Sequence, residues 1–387
     1  MSASWSKLAS DIAEIAGEWR ADRPERQARR SLDPADFERL AKAGFLDVAV
    51  PEESGGLWRS VADSTRPIGE TLRTLAAADP SVALVASMHP AVLGFWLARP
   101  DPGQPRWTEQ RTAVFASAAA GAQWGTITSE PGSGGDILRT KAEATPADGL
   151  DGSLPGAVYR VSGDKHFGSG SGVTSFMITT AVAEGEDAPA LFALDVRDRP
   201  WDGTAGLRLT AEWDGMGMAA TQSHAMRLQA CPAIRLAWDG PLEEITLAAA
   251  PLIASLFTAV ILGVLDEAIA TAKRQLEPKA EALRPFEQVE WSRAELEHWL
   301  AVQGYEGALG AVESGDHARA LHATLRAKEA VAELAESSLS RLGRVVGGGT
   351  YSRRSPFASW FEDVRALGFL RPPWGLAYDS LFATSFA

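Results

Sequence analysis

Apolar residues recur at helical spacing through the first third of the chain. Leu8, Ile12, Ile15 and Ala16 share one face, as a period of 3.6 residues requires. Asp33-Pro34 predicts the start of a second helix. Asp33 suits the N-cap, and Pro34 falls in the first turn, where a missing N–H costs nothing. Phe37, Leu40 and Ala41 line that helix and Gly44 ends it. The run FLDVAVPEESGGLW is short and apolar, closed by Pro51 and the Gly55-Gly56 turn. Two more apolar helices are expected over 66–78 and 81–98, and ARPDPGQP reads as a loop.

The pattern changes near Gln123. Short apolar runs (WGTITSE, VYRVSG, FMITTAVA, ALFALDV, HAMRLQA) alternate with glycines and turn residues. Several keep a period of two, which predicts strands. Helical spacing returns over 243–275, 287–310 and 317–342. Gly347-Gly348-Gly349 stops the last helix, and a Pro-rich tail, LRPPWGLAYDSLF, closes the chain. The blocks predict an α+β protein with an N-terminal helical domain (1–122), a middle antiparallel β domain (123–240) and a C-terminal helical bundle (241–387).

At 387 residues the chain exceeds one ordinary core. Its net charge of −13 repels phosphate backbones and anionic lipid, so neither nucleic acid nor membrane is an expected partner. Cys231 is the single cysteine. One thiol makes no internal disulfide, no Cys/His cluster has zinc spacing, and a reducing cytoplasm is expected. Cys231, before Pro232 at the expected end of a strand, reads as structural. The N-terminal segment lacks an apolar signal core. The apolar run 245–265 contains Pro251 and leads into DEAIATAKRQ, which favours a buried helix over a membrane span.

Two motifs carry chemistry. ITSEPGSGGDILRTKAEA is a Gly-rich turn. Without Cβ atoms its N–H groups can approach an anion or a polar ring closely. About thirty residues later comes VSGDKHFGSGSGVTSFMITTA. Together they resemble the T/S-E-P turn and the G-x-K-x-(W/F) strand of the acyl-CoA dehydrogenase superfamily. EWDGMGMAATQSHAMRLQACPA resembles that superfamily's next strand, LAKAGFLDVAVPEESGGL its entry, and GGGTYSRRSPFASWFEDVRAL its closing helix pair. The resemblance runs the length of the chain in the right order.

The resemblance implies FAD, with FMN or reduced flavin as a co-substrate as the alternative. It places Trp124, Thr126, Thr128 and Ser129 along the flavin, Thr128 and Ser129 at its pyrimidine edge. Gly134 and Gly135 line the phosphate or substrate side. Phe167 stacks on the ring, and Ser169 sits near its reactive nitrogen. Gly347 and Gly348 complete a neighbouring subunit's site, which implies a homotetramer or a dimer of dimers. A core position for Phe167 and a plain turn hydroxyl for Ser169 are the simpler alternatives.

A dehydrogenase of this kind needs a carboxylate base facing the ring. The corresponding position holds Arg371, which stays protonated and cannot serve. The second position used in the family has no carboxylate, although Glu243 and Glu244 lie close by. The Arg-x-x-Phe-Gly segment is replaced by ALRPFEQVEW, with Arg284 a weak substitute. The superfamily also contains flavin-dependent monooxygenases, which need no such base. TQSHA and SRRSPFASWFEDVRALGFLRPP resemble that branch, but its His-Asp-Pro is Leu370-Arg371-Pro372 here.

Among six histidines, His89 is expected at a helix end facing the flavin cavity, as a donor to a peroxyflavin or a substrate. His166 and His224 lie on strands near the motifs, and His298, His317 and His322 read as surface residues. Most of the thirteen tryptophans read as core, with Trp124 and Trp374 the candidates for a pocket wall. Three functions follow. One is a flavin-dependent acyl-CoA dehydrogenase acting on an atypical thioester, with an electron-transfer flavoprotein as partner. The second is a monooxygenase acting on nitrogen, sulfur or an aromatic ring with a flavin reductase. The third is a non-catalytic flavin-binding subunit. The dehydrogenase leads on overall resemblance, with His89 and Arg371 as the catalytic candidates.

Overall fold

A computed structural model describes residues 3–99, 103–147 and 152–385. Part of the expected ARPDPGQP loop, 100–102, lies outside the described residues. The chain opens with six helices: α1 (Ala3–Ala21), α2 (Arg23–Ala28), α3 (Pro34–Lys42), α4 (Val61–Ala76), α5 (Pro80–Leu97) and α6 (Pro105–Ala119). Leu8, Ile12, Ile15 and Ala16 are buried on α1. The Asp33 carboxylate accepts from Ala35 N at 3.0 Å, the expected cap. Gly44 takes φ 89°, the left-handed exit from α3. α6 is absent from the expected elements, because only Trp107, Gln110, Val114, Phe115 and Ala118 of its polar sequence are buried.

The middle of the chain forms β1 (Trp124–Thr126), β2 (Glu143–Pro146), β3 (Val158–Gly168), β4 (Phe176–Ala183), β5 (Pro189–Asp195), β6 (Leu207–Ala211) and β7 (His224–Arg235). Pairings β4–β2, β2–β3, β3–β7, β7–β5 and β5–β4 close a ring. The sheet is mainly antiparallel, with β1 and β2 running parallel to β4. β4 is a wall between two cores. Met177 and Ala181 face the small core inside the ring, and Phe176 and Ile178 face the helices. A strand buried on both faces shows little alternation. Cys231 lies within β7, not at its end, and is fully buried in the small core.

The last third contains α7 (Leu242–Leu276), α8 (Pro285–Glu313), α9 (His317–Val346), α10 (Pro356–Val364) and α11 (Trp374–Ser385). The Pro-rich tail therefore ends in a helix, because Pro372 and Pro373 stand before its first turn rather than inside it. α5 and the helical run Leu242–Ala282 are long and apolar enough to cross a membrane, yet 94% and 72% of their apolar windows are buried in the protein. They are the core helices. The architecture is helical, then sheet, then helical, as the sequence predicts.

Candidate functional site

The Gly-rich turn begins where β1 ends. Ile127 donates its N–H to Ile178 O at 2.8 Å, and its carbonyl accepts from Thr179 Oγ1 at 2.8 Å, so Ile127 is fixed in the small core. Thr126 and Thr128 then emerge on the other side, half-buried, with their hydroxyls 3.3 Å apart. Ser129 O accepts from His166 N at 2.8 Å, tying the strand to β3. In the turn that follows, Gly132, Gly134 and Gly135 take φ of 78°, 65° and 82°. A side chain at Gly135 would place Cβ 2.7 Å from Pro373 Cγ, so only glycine lets the closing segment approach.

Glu130 fixes the turn. Its carboxylate accepts from Lys141 N at 2.6 Å, from Thr140 Oγ1 and from Lys165 Nζ. Lys165 is fully buried and also donates to Thr180 O at 2.6 Å. Burial pushes the Lys165 ammonium down to about 8, with Glu130 opposing. Burial also works against the Glu130 carboxylate, but the bonds from Lys165, Thr140 and Lys141 outweigh it and hold its pKa below the ordinary value. Both directions leave an ionised pair at neutral pH.

At the end of β3 the pairing with β7 slips between Lys165 and Gly168. Phe167 takes φ 57° there and is 56% exposed, edge-on to Trp213 with ring centroids 6.1 Å apart. An aromatic residue in the left-handed region is strained, and such strain gathers at ligand clamps. Ser169 is buried. Its hydroxyl bonds Ser223 Oγ at 2.8 Å, Ser223 bonds Thr221 at 2.7 Å, and Thr221 donates to Met218 O at 2.8 Å. Met218 N donates to Asp363 Oδ1 on α10 at 2.6 Å. Burial raises Asp363 to about 7, against the Met218 bond, with Asp79 and Glu362 adding repulsion.

The closing segment meets the turn. Arg371 Nη2 donates to Ser129 Oγ at 3.4 Å, a long bond across 242 positions. Arg371 is half-buried, and two acids near it in sequence do not pair with it: Asp363 accepts from Met218 N, and Asp379 is exposed. Burial lowers its pKa to about 10, with the Asp136 charge opposing. One region thus gathers Thr126, Thr128, Ser129, Gly135 and Arg371, with Phe167 two positions after Lys165 and one after His166.

Other expected positions fall elsewhere. His89 lies inside α5, not at its end, and is fully buried. Its Nδ1 accepts from Trp124 N and its Nε2 donates to Leu46 O, both at 3.1 Å. Both nitrogens are spent on backbone, and burial takes its pKa down to about 4, so the expected donor role is corrected to a structural one. Trp124 is fully buried, stacked on Phe176 at 4.7 Å, with Nε1 donating to Ser117 Oγ at 3.1 Å. It is a core residue and lines no cofactor site. Glu243 and Glu244 are exposed at the start of α7, Glu244 paired with Arg99. Gly347 ends α9 at φ 100°, and no atom lies within 4 Å of a Cβ placed at Gly347 or Gly348. A cavity of about 540 Å³ between α3 and the loops after β3 and β5, lined in part by Phe37, Thr174, Arg197 and Trp201, contains none of the expected residues. Glu130-Pro131 is expected at the entry to the turn, which the Glu130 bonds fix, but the roles of Lys165 and Asp363 are not read from the sequence. Lys165 had a signal, the Lys of the second motif.

A helical block, a closed sheet carrying this turn, and a helical bundle define the acyl-CoA dehydrogenase-type fold. The resemblance to that superfamily, its flavin-dependent monooxygenase branch included, stands. No family model matches the chain. It is 27% identical over 267 residues to "Probable FMNH2-dependent monooxygenase SfnC" of Pseudomonas putida, covering 67% of this chain and 60% of that protein. It is 26% identical over 357 residues to the amino sugar nitrososynthase DnmZ of Streptomyces peucetius, covering 87% and 82%. The crystal structure of FMN-bound TdsC from Paenibacillus sp. A11-2 superposes with a TM-score of 0.79 at 18% identity, over 97% of this chain and 96% of that one. The structural likeness speaks for the fold alone.

Proposed function

We propose that the chain is a flavin-dependent monooxygenase that takes reduced FMN and oxidises a nitrogen, sulfur or aromatic centre of a small molecule. The carrying observation is Arg371 beside Ser129, at the position where a dehydrogenase needs its carboxylate. Glu243 and Glu244, the fallback bases, are exposed at the start of α7. The named functions of SfnC and DnmZ support the same branch, so the dehydrogenase reading gives way to the monooxygenase reading.

The residues fit a flavin. The left-handed glycines of the turn leave backbone N–H groups free of neighbouring Cβ atoms, and Thr126 and Thr128 bond chiefly each other. Phe167 is an aromatic face held out of the sheet. Reduced flavin, when bound, supplies the two electrons that split O₂, one oxygen atom going to the substrate and one to water. Thr128 and Ser129 hold the pyrimidine edge, Phe167 covers the ring, and Gly134 and Gly135 line the phosphate side, where Gly135 N is bonded to Ser133 Oγ and the Gly134 N–H faces the phosphate. Ser169, oriented by Ser223, donates near the reactive nitrogen. Gly347 and Gly348 reach a neighbouring copy's site. Phe286, Val289, Leu296, Trp299 and Leu300 are exposed on α8, and this apolar stripe supports self-association, as a tetramer or dimer of dimers. A flavin reductase in the cytoplasm supplies the cofactor, and 1–122, 123–240 and 241–387 serve as the three units.

The test is a panel of butyryl-, octanoyl- and palmitoyl-CoA with an artificial electron acceptor and either FAD or FMN. The proposal expects no turnover. Turnover of about 1–10³ per second on any of them would return the chain to the dehydrogenases.

A further inference from the structure

The site carries a cation with no acid in contact among the described residues. The Arg371 charge reaches Lys165 and lowers its pKa. Lys165 is neutralised by Glu130, in direct contact. Arg371 has no such partner: its described polar contact is the Ser129 hydroxyl, and the acid that acts on it, Asp136, does so through space. Two other inward-facing arginines do have acids in contact: Arg26 lies between Asp36 and Asp79, and Arg73 lies on Asp266. A partly desolvated guanidinium left unpaired is costly unless a ligand supplies the anion.

Ser129 is the hydroxyl that the proposed function places at the pyrimidine edge of the flavin. Arg371 donates to that same hydroxyl, so its planar fork lies at that edge. Two-electron reduction changes the charge there. Oxidised flavin is neutral at the ring, whereas reduced flavin readily loses its N1 proton and spreads the negative charge over N1 and the C2 oxygen. We propose that Arg371 makes this chain select reduced over oxidised flavin, by supplying the counter-charge to the pyrimidine edge of the reduced ring. Pro372 and Pro373 restrict the backbone behind it, and Pro373 is seated on Gly135, so the cation is held against the turn and not on a free loop. A ligand shifts between two states only by its differential affinity, and a fixed cation is differential here because only one redox form is anionic. The inference rests on the proposed flavin site.

The experiment is a pair of anaerobic titrations, oxidised FMN and dithionite-reduced FMN, on the wild-type protein, Arg371→Gln and Arg371→Lys. Wild type should bind the reduced form at least about tenfold more tightly, equivalent to ~1.4 kcal/mol. Arg371→Gln should bring the ratio towards one while changing oxidised-FMN affinity little. Arg371→Lys, which keeps the charge without the fork, should retain part of the preference. The wild-type preference should also weaken as pH falls and the reduced ring takes up its proton. An unchanged ratio in Arg371→Gln overturns the assignment while leaving the flavin site intact. Failure of the wild-type protein to bind either form overturns both.

Discussion

The Lys165 ammonium, wholly buried on β3, spans the sheet from the Glu130 carboxylate to the Thr180 carbonyl 2.6 Å away. This contact pins the Gly-rich turn to two strands at once. Removing one partner strands the other charge in the interior. Lys165→Met should therefore cost about 3–5 kcal/mol of stability. The double variant Lys165→Met/Glu130→Gln should recover much of that loss, because no charge remains buried. Urea unfolding of the wild type and the two variants checks this. A single variant as stable as wild type would contradict it.

His89 bridges Leu46 O and Trp124 N, joining the helices to the first strand. His89→Leu leaves both backbone groups unpaired and should cost about 1–3 kcal/mol, with FMN affinity unchanged. Its folded pKa, about 4, lies below the ordinary 6.5. The folded state thus binds fewer protons than the unfolded state between those values, and stability is lost as pH falls through that window. The loss should shrink in His89→Leu, as thermal melts at pH 4.5 and 7 would show.

Asp363 has the opposite sign. Its folded pKa is raised to about 7 from 3.8. The folded state holds a proton that the unfolded state has released, so stability contributed at low pH is lost as pH rises from about 4 to 7. Asp363→Asn keeps an acceptor for Met218 N and stays neutral. It should flatten this part of the pH profile and match or exceed wild type at pH 8. A variant with the wild-type slope would show that Asp363 is not the titrating group.

Ser129→Ala and Ser169→Ala each remove one hydroxyl from the proposed ring contacts. Each should weaken FMN binding by about threefold to tenfold, or roughly 0.5–1.5 kcal/mol, without loss of helical circular dichroism. Equal affinities in both variants would move the cofactor away from this strand.

The α8 stripe predicts self-association. Light scattering at micromolar concentration should give a dimer or larger, and Leu296→Glu/Trp299→Glu should reduce the mass by charging the exposed face. A monomeric wild-type protein would sink this prediction.

Much of the fold was legible because its signals are local. Asp33-Pro34, Gly44 and Gly347 mark helix ends through backbone demands that the structure meets. The turn at 129–135 was legible from its glycines. α6 was hidden because a half-exposed polar helix has little apolar periodicity, and the short β2 and β6 because four or five residues make little pattern. The misplaced residues, His89 and Trp124, share one cause. Both lie beside the site in sequence or in the family pattern, yet their side chains turn inward, His89 to the backbone of Trp124 and Leu46, and Trp124 to Ser117 and Phe176. Lys165 meets Glu130 across 35 positions, and Asp363 meets Met218 across 145, distances at which spacing carries no information.

The central claim is that reduced flavin passes its electrons to oxygen, and that no acyl thioester supplies electrons to the flavin. The direct measurement is mass spectrometry of products formed under ¹⁸O₂ by the protein with FMN, a flavin reductase and NADH, on a panel of primary amines, thioethers and indole. The account predicts that at least one substrate gains a single ¹⁸O atom, and that the gain disappears when the protein is omitted. Flavin-saturated protein that labels none of them, while oxidising an acyl-CoA under the same conditions, would contradict it.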